Sequence, residues 1–144
     1  MPYAEVQLVV DPLVRLLCTN PYPGHSKGCP NFGERSSCPP KCPLVTHLLD
    51  LTKPIWAIWN VFDMKRYLEV MNQCHPTWSD RQKRCCLYWQ GGARKALKAE
   101  IEMFKECHSG VFCTTCPEAM GVNVTETMRL IGQELEWPPE TRAY

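Results

Sequence analysis

Apolar and polar positions change their rhythm several times along this chain, and each rhythm predicts an element. Residues 4–10 (Ala-Glu-Val-Gln-Leu-Val-Val) have the composition of a strand, and Leu13 to Leu17 predicts a short turn of helix. The stretch from Ile55 to Phe62 is nearly continuous apolar sequence with β-branched and aromatic residues, which predicts a buried strand. Asp63 is placed to cap a helix running to about Gln73, closed before His75-Pro76. Ser79-Asp80-Arg81-Gln82 has the form of a capping box and opens a longer helix towards His108 and Gly110. Its apolar face would be Cys86, Trp89, Ala93, Leu97, Ile101 and Phe104, with Gly91-Gly92 as the point where it would divide. Thr125 to Gln133 predicts a last short helix, and Leu135-Glu136-Trp137 an edge strand. No internal repeat is present. The expected architecture is α+β: one domain over residues 1–144, with its helical part over 63–133.

Between Cys18 and Pro43 all periodicity stops. This stretch holds prolines 21, 23, 30, 39, 40 and 43, glycines 24, 28 and 33, and four cysteines. That punctuation excludes a helix or long strand and predicts a loop. Loops of this length are uncommon in compact domains and are usually functional, and a loop without a core of its own needs a staple.

Composition narrows the class. Hydrophobic residues at 44% and charged residues at 22% exclude a disordered chain, and a formal charge of +1 excludes a generic polyanion binder. The first apolar run, Val6 to Val10, has no Lys or Arg before it and is closed by Asp11-Pro12, so no secretory signal is expected. No run approaches the ~20 apolar residues of a membrane span. The expected location is the cytoplasm, where clustered thiols are more often metal ligands or catalysts than disulfides. Ten cysteines then become the main chemical feature.

Cys18, Cys29, Cys38 and Cys42 lie in the irregular loop, and three of them are followed by proline. Soft metals need thiolates that converge on a point, and irregular backbone lets them converge. Proline fixes φ and stiffens the chain beside each ligand, while glycine lets backbone N–H groups approach thiolates or inorganic sulfide. Cys38-x3-Cys42-Pro43 also has the spacing of the end of the bacterial ferredoxin run. The pair Cys38/Cys42 could instead join Cys113-Thr-Thr-Cys116 in a four-cysteine zinc site, although Cys18 and Cys29 would then be idle. The ligand set expected first is therefore Cys18, Cys29, Cys38 and Cys42 around a [4Fe–4S] cluster, with zinc as the alternative. Cys113 and Cys116 also have the Cys-x-x-Cys redox form, and either could supply the fourth ligand in place of Cys42. Cys74, Cys85, Cys86 and Cys107 fall on predicted helices and are expected to be small core residues.

The order Cys…Cys-Pro-Asn-Phe-Gly…Cys-Pro-Pro over residues 18–40 resembles an uncharacterised family of microbial proteins described as predicted metal-binding proteins. Pro117-Glu-Ala-Met-Gly121-Val-Asn-Val-Thr125 and Gly132…Leu135-Glu-Trp-Pro-Pro139 are similar to that family's ending. The resemblance implies metal binding by Cys18, Cys29 and Cys38 in an iron–sulfur cluster, and it supplies no reaction.

Ligand number decides what such a cluster can do. Three cysteines leave one iron open as a Lewis acid for sulfur-transfer or desulfuration chemistry, whereas a fourth restricts it to electron transfer, sensing or holding the fold. His25, Lys27, Arg35 and His47 are candidate proton donors near an open site, and Ser36-Ser37 candidate hydrogen-bond donors to sulfide. From Arg81 to Lys98 six cations (81, 83, 84, 94, 95 and 98) occur without an acid. On a continuous helix, Arg81, Arg84, Tyr88, Lys95 and Lys98 would fall near one face, suited to an acidic electron-donor protein or to RNA. The competing expectation is a zinc-stabilised, non-catalytic module that binds RNA or protein. The sequence has no Gly-x-Gly-x-x-Gly, P-loop or Gly-x-Ser-x-Gly motif.

Overall fold

Local capping chemistry sets most of the helix starts in the computed structural model, which describes residues 2–21, 25–136, 140, 142 and 143. Asp63 accepts the Arg66 N–H at 2.9 Å through Oδ1 and starts α2 (Met64–Cys74), as its sequence position predicts. Ser79 and Gln82 form the reciprocal capping box that opens α3 (Asp80–Lys83). Asn123 Oδ1 accepts the Glu126 N–H at 3.0 Å and starts α5 (Val124–Arg129). A short helix α1 (Val45–Leu48) and the long α4 (Gln90–Cys107) complete the set. The strands are β1 (Tyr3–Glu5), β2 (Trp56–Ile58), β3 (Phe62–Asp63) and β4 (Arg142–Ala143). They pair as β1 with β2 and β3 with β4, the latter antiparallel with Phe62 opposite Ala143. The class is α+β.

Several predicted elements differ in extent, and the last helix stops at Arg129 rather than Gln133. The run from Ile55 to Phe62 is not one buried strand: β2 and β3 take only its two ends, Trp56 is 38% exposed and Val61 47%. The helix predicted from Ser79 to His108 is interrupted at Arg84–Cys85 and continues through a 3-10 turn, Cys86–Tyr88, before α4 begins. The break does not fall at Gly91-Gly92, which lie inside α4. Of the expected edge strand Leu135-Glu136-Trp137, Leu135 and Glu136 form no strand and Trp137 lies outside the described residues.

The chain packs as two compact units. The first comprises Met1–Ala4, Ala57–Val111 and Glu134–Tyr144. Its most buried side chains are Met64 and Phe104. Tyr3 meets Phe104 edge-to-face with centroids 5.3 Å apart, and Phe62 stacks on Trp89 at 5.1 Å. Lys83 is buried and donates to Asn72 Oδ1 at 2.7 Å.

The second unit comprises Glu5–Trp56 and Phe112–Gln133. Its core is Cys42, Val45, Ala119, Met120 and Val122, with Leu8, Val10, Leu49 and Val124 packed around them. The predicted strand over 4–10 shortens to β1, and the residues after it bond to a distant segment instead. Val10 bridges Val122, the Asn123 N–H donates to Val9 O at 2.8 Å, and the Val9 N–H donates to Thr127 Oγ1 at 3.0 Å. This seam brings residues 112–123 beside the start of the cysteine loop.

Candidate metal centre

Cys18 is carried on a 3-10 helix, Pro12–Thr19, where the sequence predicts a helical turn. Asp11 Oδ1 accepts the Leu13 N–H at 3.0 Å, and Pro12 occupies the first helical position, where an N–H has no helical partner to lose. The far end is held by Thr19 Oγ1, which donates to Leu16 O at 2.7 Å.

Cys29 returns to the same point. Its N–H donates to Cys18 O at 2.7 Å, and Gly28, at φ +81°, makes the approach. A Cβ on Gly28 would stand 2.6 Å from Cys18 O, so only glycine permits the two chain segments to come this close. Cys38 is set by a series of turns. Its N–H donates to Arg35 O at 3.0 Å, its own carbonyl accepts the Cys42 N–H at 2.9 Å, and the Gly33 N–H donates to Pro39 O at 2.7 Å. These bonds satisfy a backbone that has neither helix nor sheet to satisfy it.

A fourth thiol arrives from a different part of the chain. Cys116 immediately precedes a second 3-10 helix, Pro117–Met120, which packs against Pro12–Thr19. The Asp11 N–H donates to Gly121 O at 2.8 Å and fixes the pairing of these two segments. Gly121 takes a left-handed conformation, and a Cβ there would meet Leu44 Cδ2 at 2.9 Å.

The electrostatics report the same convergence. The Cys18 thiol is pushed above its ordinary range, first by burial and then by the negative charges of Cys29, Cys38, Glu118 and Cys116. Cys18, Cys29 and Cys38 are half-buried and Cys116 is exposed, and all ten cysteines are free thiols.

Cys42, expected from sequence spacing among the ligands, packs with the apolar core. It is 8% exposed and clusters with Val45, Ala119, Met120 and Val122, while its Sγ lies 3.6 Å from Pro43 O. The one turn between Cys38 and Cys42 sends their side chains to different surroundings. Cys113 is exposed. His25, Lys27, Arg35, Ser36, Ser37 and His47 are exposed too. Cys74, Cys86 and Cys107 are exposed and Cys85 half-buried, so the helical cysteines do not fill a core. The basic stripe is divided by the break at Arg84–Cys85. Arg84 pairs with Asp80 at 2.9 Å and Lys83 is buried, leaving Arg81, Arg94, Lys95 and Lys98 exposed on two separate helices.

The donor set is soft and oxygen-poor, which suits iron–sulfur clusters and zinc. Among the described residues, no three His, Cys, Asp or Glu side chains are grouped so as to hold a single metal ion. Zinc would draw four sulfurs to about 2.3 Å from one point, whereas a cluster presents a separate iron to each thiolate. Arg15 Nε is a buried polar atom without a hydrogen-bond partner beside the Cys38–Cys42 turn. Of these features, sequence reasoning missed Gly28 as the close approach, Arg15 and Glu118. The Gly28-Cys29 dipeptide carries a signal for the first, while the other two depend on long-range contacts. No family model, curated protein or solved structure matches the chain. No helix among the described residues is long and apolar enough to cross a membrane.

Proposed function

We propose that this chain is an iron–sulfur protein whose [4Fe–4S] cluster is held by the thiolates of Cys18, Cys29, Cys38 and Cys116 and serves electron transfer or redox sensing. The observation that supports this most directly is the packing of Pro117–Met120, the 3-10 helix that Cys116 precedes, against the 3-10 helix that carries Cys18. Cys18, Cys29, Cys38 and Cys116 supply four soft donors from separate turns of the chain, the donor type that an iron–sulfur cluster takes. With four thiolates engaged, no iron is left open, so electron transfer or sensing takes precedence over the open-iron sulfur chemistry. Such a centre belongs in a reducing compartment, and ten unpaired thiols accord with the cytoplasm.

Purification without oxygen tests the proposal. The expected protein is brown, absorbs broadly near ~400 nm and carries about four irons with matching acid-labile sulfide. Serine replacement of Cys18, Cys29, Cys38 or Cys116 should each reduce cluster content. Cys42→Ser should keep it, at a stability cost of about 1–3 kcal/mol for burying a hydroxyl in an apolar core. A colourless protein with about one zinc, or a Cys116→Ser variant with undiminished cluster, would reject this ligand set.

A further inference from the structure

Residues i and i+3 eclipse in a 3-10 helix, so Arg15 and Cys18 lie on one face of Pro12–Thr19. Arg15 uses that position to reach across the loop. Its Nη2 donates to Cys42 O at 2.6 Å and to Pro40 O at 3.2 Å. Both carbonyls belong to the turn that begins at Cys38, closed by the Cys42 N–H on Cys38 O. One guanidinium nitrogen thus ties the helix bearing one thiol to the turn bearing another, over sequence separations of 25 and 27 residues. The same side chain buries its Nε–H with no hydrogen-bond partner. An orphaned buried donor is unfavourable for folding alone, so the position is better explained by the centre than by the loop's stability. A thiolate-bound cluster is also anionic, and a guanidinium beside its ligand turn offsets that charge.

We propose that Arg15 is a positioning residue of the metal centre, holding the Cys18 helix and the Cys38 turn at the separation the bound cluster requires. This rests on the iron–sulfur reading above. Arginine reaches the two carbonyls from one planar, always-charged group, whereas lysine offers a shorter, more strongly hydrated point charge. Loss of Arg15 should therefore loosen cluster retention more than it loosens the metal-free fold.

The test compares wild type, Arg15→Lys and Arg15→Met, all full-length and loaded anaerobically with ferrous iron and sulfide. Iron and sulfide content, the rate of iron release to a chelator and the electron paramagnetic resonance of the reduced protein are measured on each. The thermal midpoint is followed with and without metal. Arg15→Met is expected to release iron at least tenfold faster, with an altered resonance and a nearly unchanged metal-free midpoint; Arg15→Lys should fall between it and wild type. Wild-type release rate and resonance in both variants would overturn the proposal. So would equal losses of midpoint with and without metal, which mark a purely structural role. Should Arg15→Met fail to fold, Arg15→Lys decides by the same readings. Wild type that takes up no iron and sulfide would reject the iron–sulfur reading itself, and the role of Arg15 with it.

Discussion

At Gly28 the backbone of Cys29 comes within hydrogen-bonding distance of Cys18, and the space a side chain would need is occupied by Cys18 and Thr19 main-chain atoms. Gly28→Ala combines that clash with a positive φ. It should cost about 1–3 kcal/mol in denaturant unfolding and, on the proposed iron–sulfur reading, lower the iron bound per chain, because it separates two of the proposed ligands. Tyr67 presents a different imbalance: its hydroxyl is buried without a hydrogen-bond partner. Tyr67→Phe should therefore stabilise the protein by about 1 kcal/mol at neutral pH, read from the urea midpoint. Burial, followed by the charges of Cys85 and Tyr88, holds the Tyr67 hydroxyl above its ordinary value of 10.0. A raised folded value favours the neutral form. Its stabilising contribution is complete below the unfolded value and disappears as pH rises through the folded one. Wild type should lose stability more steeply than Tyr67→Phe above pH ~10, and equal slopes would contradict that assignment.

Helix starts are governed by neighbours in sequence, and this makes them legible. Asp63, Ser79 and Gln82 cap the elements their positions predict, since each acts on an N–H only three residues away. Asn123, which sequence reasoning did not mark as a cap, bonds in the same way at the start of α5, and Asn123→Ala should cost about 1 kcal/mol in thermal or denaturant unfolding. Helix continuity is a different matter. The apolar spacing from Cys86 to Phe104 suits one helix, yet the chain turns at Arg84–Cys85 and leaves Cys86 exposed. Phe62 on Trp89 and Trp78 beside Tyr88, at 5.1 Å each, are tertiary aromatic contacts that accompany this bend. The same override shortens the Ile55–Phe62 strand, because its neighbours pair with only three residues at one end and two at the other.

Over the whole molecule, the two units have separate cores, and the proposed cluster concerns one of them. Removal of metal with a chelator under reducing conditions should therefore speed backbone hydrogen exchange over residues 12–43 and 112–123 while leaving the amides of α4 at their metal-bound rates. Uniform acceleration would show that the cluster supports the entire fold. The amino-acid sequence by itself determined the class, the helix starts capped by Asp63 and Ser79, and the loop that carries Cys29 and Cys38. Those follow from periodicity, short-range caps and proline–glycine punctuation, all local effects. Only the tertiary structure decided that Cys42 packs with the apolar core, that the helix after Cys116 packs against the helix of Cys18, and that Arg15 spans the loop. One irregular turn separates Cys38 from Cys42, and the seam of Val10, Asp11, Gly121 and Val122 spans over a hundred residues. Such contacts arise from burial and backbone pairing at long range, where sequence spacing carries no information about distance.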